Sequence, residues 1–231
     1  MTPRAIVRTA LERGLDMIAV CDHNSARNTA ATRRAAAGSG LAVIAGMEIA
    51  SSEEVHFLGL FPSDEEAGAV QEEIYAHLFG ENDEDVFGCQ AVVNENDEVE
   101  DLDQRLLISA TTLSAEKVVD LIHDFSGLAL ASHIDRQAYG IFSQLGFIPG
   151  SLKLDALEIS GRTDPDAARN RYRQCNDYSL ITSSDAHFLE DLGTAYTIVR
   201  MAEPSFQEIK KALAGQEGRQ VLGLRRGERH R

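Results

Sequence analysis

Tryptophan is absent from this chain, and only three of its 231 residues are cysteine. Cys21, Cys89 and Cys175 are odd in number and none stands in a C-x-x-C pair, so neither a disulfide framework nor a structural zinc knot is expected. No run of about 18 apolar residues occurs, so no membrane-spanning helix is expected. The opening MTPRAIVRTALERG reads as a charged amphipathic helix rather than a secretion signal, which predicts a cytoplasmic protein. Basic residues are scarce, 22 against 37 acidic, for a formal net charge of -15. So acidic a chain lacks the basic grooves that grip long nucleic acid, and no such partner is expected. A small phosphorylated substrate stays compatible, because bound divalent cations supply positive field locally.

What is present is a rhythm. Thr2-Pro3 reads as a helix start and Gly14 as its stop, with Ile6, Val7, Ala10 and Leu11 on one face. Met17 to Cys21 is a short apolar run, as expected of a strand buried on both faces. A helix over about 27–37 follows. Strands are predicted at Leu41–Ile49, Val55–Phe61, Gly127–Ser132, Ala156–Ile159, Tyr178–Thr182 and Thr194–Val199, with a short one near Val221. Helices are predicted at Asp64–Phe79, Ala138–Leu145, about 165–175 and Phe206–Leu213. Alternating strands and helices imply an α/β fold with a mostly parallel sheet, closed as a barrel or strongly curled. One domain over 1–231 is expected. The acidic stretch GENDEDVFGCQAVVNENDEVEDLDQRLL interrupts the rhythm. With the helix capped by Ser114 it is read as an insertion over 80–126, carrying a hairpin across Asn94 to Asp97 and a solvated acidic face.

The polar residues gather at strand ends. Asp22-His23-Asn24 follows IAVC, Glu48 ends VIAGMEI, His56 opens VHFLGLF, His133 follows LALAS, and Asp185 and His187 follow LITSS. In a parallel barrel such ends converge on one mouth. Imidazole with carboxylate is the ligand set of zinc, manganese or iron, and too rich in histidine for a magnesium or calcium cage. Two such ions, about 3.5–4 Å apart, activate water and clamp a phosphate ester. Each element alone is weak; together they point to a metal site. His77, His123 and His230 are read as structural or surface residues, the last in a frayed tail.

The segments GLDMIAVCDHN, GMEI, EVHFLGLF, ASHIDR and SSDAH, in this order, resemble the polymerase-and-histidinol-phosphatase (PHP) family over nearly the whole chain outside the insertion. The resemblance implies a distorted (β/α)7 barrel holding up to three divalent metals. It implies that Glu48 bridges the first two ions, Asp185 binds the first, and His56 and His133 complete the second. His23 and His187 would hold the third, and Asp22 would orient ligands or water from behind. Asp22, His23 and His187 are thereby the catalytic candidates. Arg136 in HIDR and Arg162 in SGRTD are candidates for a substrate phosphate.

The sequence departs from the family at its start: no His-x-His occurs, and that motif normally ends the family's first strand. Fewer ions are therefore expected here, and Met1 is read as an internal methionine of a longer protein rather than the start of a degenerated one. Without that strand, the Met17–Cys21 edge would be left free to pair with another chain, giving a homo-oligomer. The function implied is hydrolysis of small phosphomonoesters or nucleotides by a metal-bound hydroxide. The alternatives are an exonuclease-type module, for which a basic strip or aromatic platform would speak, and a metal-poor regulatory or assembly domain. Neither a strip nor a platform is visible in the sequence near the site. Another barrel hydrolase chemistry, on amides or lactones, has no ordered motif to support it.

Overall fold

The computed structural model describes residues 1–227; the tail that includes His230 lies outside them. Helix α1 (Pro3–Glu12) starts on its proline, as the sequence predicts. Strand β1 (Met17–Val20) then pairs in parallel with β2 (Ala42–Ala50), with α2 (Thr29–Ala35) between them. Strand β3 (His56–Phe61) turns back antiparallel along β2, and α3 (Asp64–Ala76) is capped by the Ser63 hydroxyl, which accepts from the Glu65 N–H. After the short α4 (Glu84–Phe87), β4 (Ala91–Val93) and β5 (Val99–Leu102) form a separate two-stranded hairpin. Its turn is built by Asn94, whose side-chain oxygen accepts from the N–H groups of Asn96 and Glu98.

Helix α5 (Ala115–Asp124) is capped by Ser114, and β6 (Leu128–Ala131) pairs antiparallel with β3. A one-turn α6 (Ile141–Gln144) stands where the sequence predicted a longer helix. Strand β7 (Ala156–Glu158), α7 (Pro165–Arg171), a 3-10 turn over 173–177 and β8 (Leu180–Ile181) extend the sheet in parallel. Strands β9 (Ala195–Arg200) and β10 (Gln220–Arg226) pair with each other, with α8 (Phe206–Leu213) between them.

The main sheet runs β1-β2-β3-β6-β7-β8. It is a curled half-barrel of mixed direction, the strongly curled of the two expected forms, and among the described residues it does not close into a barrel. Two physical reasons stand out. β3 runs against its neighbours on both sides. β9 docks beside β8 through a hydroxyl rather than a backbone ladder: the Thr197 hydroxyl accepts from the Thr182 N–H and donates to the Thr182 carbonyl.

Central strands are buried on both faces, which explains their unbroken apolar runs. In β6, Ala129 and Ala131 face a core with Val118 and Ile122 of α5 and Val70 and Ile74 of α3, while Leu128 and Leu130 face Phe206, Ile209 and Leu213 of α8. Helix α5, inside the 80–126 range, is thus part of the central core. Strand β1 is an edge, paired only with β2 among the described residues, as expected of the Met17–Cys21 run; it departs from expectation in its burial, since it is not covered on both faces and Ala19 is exposed. No helix of the described residues is long and apolar enough to cross a membrane.

Candidate metal centre

The reversal of β3 is what brings the site together. His56 is the first residue of β3, yet it lies opposite Ala50, the last residue of β2. A histidine at a strand's start therefore reaches the same end of the sheet as the carboxylate at its neighbour's finish. The chain leaving β1 is clamped onto β2 beside it: the Glu48 N–H donates to the Asp22 carbonyl at 3.1 Å, and the Asn24 N–H donates to the Glu48 carbonyl at 2.8 Å. His133 follows β6, and Asp185 and His187 follow β8.

Glu48 is the hub. Its Oε2 lies 3.4 Å from His23 Nδ1, and its Oε1 lies 3.2 Å from His56 Nδ1 and 3.4 Å from His133 Nε2. The remaining candidates continue outward. The His187 ring centroid is 6.0 Å from that of His23, and His187 Nδ1 is 3.9 Å from Asp185 Oδ1. Asp185 Oδ2 is held by Arg136 at 2.6 Å. Asp22 stands behind the cluster, accepting from Asn28 Nδ2 at 3.1 Å. Among the described residues, Arg162 makes no hydrogen bond or ion pair to these side chains. Its loop is nevertheless tied to that of Arg136, because Asp135 accepts from the Ser160 N–H at 2.8 Å and from the Thr163 hydroxyl.

Electrostatics favour a charged hub beside a neutral His23 ring. Burial opposes ionisation of Glu48, but the imidazoles of His133, His56 and His23 outweigh it and hold its carboxyl well below the ordinary range. Burial pulls His23 down, favouring the neutral ring that a metal needs. Burial pushes the Cys21 thiol up, and the charges of Glu48 and Glu158 push it further.

These residues fit a divalent metal. The ligand atoms of His23, Glu48 and His56 lie within 4.8 Å of one another. Nδ1 of His133 is buried without a hydrogen-bond partner, a cost that coordination or a bound group would relieve. Imidazole nitrogen with carboxylate oxygen suits zinc, manganese or iron.

Sequence reasoning passed over several neighbours. Glu158, the last residue of β7, is buried and accepts from the His133 N–H at 3.1 Å and from the Ser183 hydroxyl. Burial raises its carboxyl pKa. The signal was there, a carboxylate at a strand's end, as for Glu48. Tyr139 stacks on His56, with ring centroids 4.3 Å apart and planes at 12°, and it had no signal beyond its place in the loop after His133. The acidic stretch is largely solvated, as expected, with one exception among its carboxylates. Asp103 is buried, accepting from the Tyr75 hydroxyl at 2.9 Å and from Arg105, while Arg27 reaches Asp101 at 2.7 Å. His77 and His123 have structural partners, Thr112 at 2.8 Å and Asp155 at 2.9 Å.

Residues 170–216, which include Asp185 and His187, match the PHP-associated family model. The chain is 32% identical to the uncharacterized protein YqxK of Bacillus subtilis over 120 residues, 50% of this chain and 30% of that protein. Its fold is similar to that of the lesion-specific endonuclease Q of Pyrococcus furiosus (TM-score 0.70, 19% identity, 97% of this chain and 54% of that one). It is likewise similar to an endonuclease Q complex with a 27-mer duplex carrying an abasic lesion at the active site (TM-score 0.73, 18% identity, 97% of this chain and 54% of that one). A protein of Bifidobacterium adolescentis assigned as a metal-dependent phosphoesterase gives a TM-score of 0.58 at 18% identity, covering 93% of this chain and 91% of that one. The chain thus spans about half the length of the endonuclease Q structures and less than a third of YqxK. The resemblance read from the motifs is supported to this extent: residues 170–216 match the PHP-associated model, and the fold is similar to those of the endonuclease Q and phosphoesterase structures.

Proposed function

We propose that this chain is a metal-dependent phosphoesterase whose centre is built on Glu48, with His56, His133 and His23 as neighbouring ligands and Asp185 and His187 as an outer pair. The observation that carries the reading is one carboxylate with three imidazole nitrogens from three other segments within 3.4 Å of its oxygens. Divalent ions bound there supply a Lewis acid and an acidified water. The chain's own groups do the rest. Glu158 fixes the backbone of His133, Asp22 and Asn28 brace the His23 loop, and Arg136 stands ready to exchange the Asp185 carboxylate for a substrate phosphate. Arg162 is offered as a second phosphate contact from the loop tied to Asp135.

Small phosphomonoesters and nucleotides are the first substrates to test. A second reading, cleavage of a nucleic-acid phosphodiester, is favoured by the endonuclease Q likeness across 97% of this chain. That likeness goes against the expectation that the acidic composition rules out long nucleic acid, since formal charge averages over the surface while a site is local. Assay of an aryl phosphate, a nucleotide panel and an abasic duplex, with manganese or zinc added, tests both. Turnover should fall at least a hundredfold in Glu48→Gln, together with metal content by elemental analysis. A protein that takes up less than about one ion per chain and cleaves none of these substrates would be the metal-poor regulatory domain instead.

A further inference from the structure

The loop after β6 carries His133 and Arg136, which the phosphoesterase reading uses, and Tyr139, which it leaves without a role. Tyr139 lays one ring face on His56, yet 42% of the residue is exposed. An aromatic side chain so open beside a buried cluster is not there to fill a core. Its backbone sits at φ 62, the left-handed region that a bulky residue adopts only when its surroundings impose it. The surroundings do so here. The Tyr139 carbonyl accepts from the His56 N–H at 3.1 Å. The next residue must be glycine, because a Cβ on Gly140 would fall 2.5 Å from the Arg136 carbonyl oxygen. The fold therefore spends strain to hold a half-open ring over the ligand histidine.

Arg136 lies three residues earlier, its side chain 44% exposed and on Asp185. Its loop is locked by Asp135 to the loop of Arg162, whose carbonyl receives Arg226. Arg225, Arg226 and Thr163 line a cavity of about 380 Å³ there. An otherwise acidic chain thus carries Arg136 on the loop of Tyr139, and Arg162, Arg225 and Arg226 around the loop that Asp135 ties to it.

Resting on the phosphoesterase reading of the same site, we infer that Tyr139 and Arg136 form a nucleotide-reading edge: the open face of Tyr139 stacks a nucleobase, and Arg136 meets the phosphate attached to it. A planar π-face accepts any base, and a neighbouring guanidinium accepts any phosphate oxygen, so the pair selects base-bearing phosphoesters without reading sequence. The base can come from a free nucleotide or from a nucleic-acid strand.

The chain has no tryptophan, so a fluorescent base is seen against a low background. 2-Aminopurine riboside 5′-monophosphate and a trinucleotide with a central 2-aminopurine are titrated into the full chain with manganese present. Stacking should quench both probes for the parent and for Tyr139→Phe. Tyr139→Leu keeps bulk over His56 but no π-face, and should bind about tenfold more weakly. Arg136→Gln should weaken binding as well. Circular dichroism identical to the parent shows that the variants are folded. Tighter binding of the monophosphate assigns the edge to free nucleotides, and tighter binding of the trinucleotide to a strand; either supports the inference. Absence of quenching with both probes, or equal affinity of Tyr139→Leu and the parent, overturns it. Aryl phosphate turnover on the same samples separates the two ideas: turnover without quenching removes the edge alone, and quenching without turnover removes the phosphoesterase.

Discussion

Asn24 offers a sharp test of how the acidic insertion is coupled to the site. The residue is fully buried, next to His23, at φ 48. Its side-chain nitrogen donates to the carbonyls of Leu107 and Ser109, both at 2.8 Å, and its oxygen accepts from the Ala50 N–H at 3.2 Å. In Asn24→Ala all three bonds are lost. The two carbonyls belong to half-buried residues and can be rehydrated, at a net loss of about 1 kcal/mol each. The Ala50 N–H is buried and would be left without a partner, costing about 1–3 kcal/mol. Alanine, unlike asparagine, adds about 1 kcal/mol for the left-handed backbone. The sum is about 4–6 kcal/mol, a large fraction of the ~5–15 kcal/mol that holds a typical domain together.

Urea unfolding of the parent, Asn24→Ala and Asn24→Gly measures this. Glycine should recover about 1 kcal/mol relative to alanine, because only the backbone cost is relieved. Hydrogen exchange should quicken across 90–109, the stretch that Asn24 pins, and metal uptake should weaken through the displaced His23. If alanine costs under 1 kcal/mol and glycine is no better than alanine, the described bonds do not hold the insertion to the mouth.

Further outcomes follow from the same geometry. Gly46→Ala places a Cβ 2.5 Å from the Cys21 sulfur and 2.9 Å from the Val20 carbonyl oxygen, so β1 must shift; a loss of about 1–3 kcal/mol is expected in thermal melts. Ile122→Ala opens the core between α5 and the sheet and should cost about 2–5 kcal/mol, read by the same melts. Glu208, held by Arg219 at 2.7 Å, has its pKa lowered from 4.5 to about 2. A depressed carboxylate stabilises fully above its unfolded value and loses that contribution as pH falls through its folded one. Glu208→Gln should therefore melt below the parent at pH 6, and the gap should close between pH 4.5 and about 2. A gap that persists unchanged at the lowest pH would mean that charge is not what Glu208 contributes.

Where local chemistry decides, the sequence was readable. Apolar runs marked nearly every strand because the central ones are covered on both faces, and Ser114 marked a helix start because its hydroxyl accepts an orphan N–H group there, as Ser63 and Ser205 also do in the structure. The strand-end rule led to Glu48, His133 and Asp185. It had no account of His56 at a strand's start, because the direction of β3 is a property of pairing and leaves no trace in a six-residue run. The free edge of β1 was expected from the motif pattern, but its half-open face was hidden, because its run is as apolar as those of the buried strands. The short ladders of α6 and β8 were over-read, since composition allowed longer elements than tertiary packing completed.

The strain in this backbone could not be read from the chain at all, and it gathers where the chemistry does. Among the described residues, eight that are not glycine take a positive φ. Four of them, Asn24, His133, Tyr139 and Asp185, line one mouth. Each is held there by a bond that a relaxed backbone would forfeit. Asn24 is held by the Ala50 N–H, His133 by Glu158, Tyr139 by the His56 N–H, and Asp185 by the Ser183 hydroxyl that its N–H reaches. Strain of order 1–3 kcal/mol per residue persists only when surrounding contacts over-determine it. Glu158 is such a contact twice over, gripping the backbone of His133 and the hydroxyl of Ser183 from one buried carboxylate. It links the strands that deliver His133 and Asp185, so its loss should loosen two candidate ligands at once while leaving the Glu48, His23 and His56 group in place.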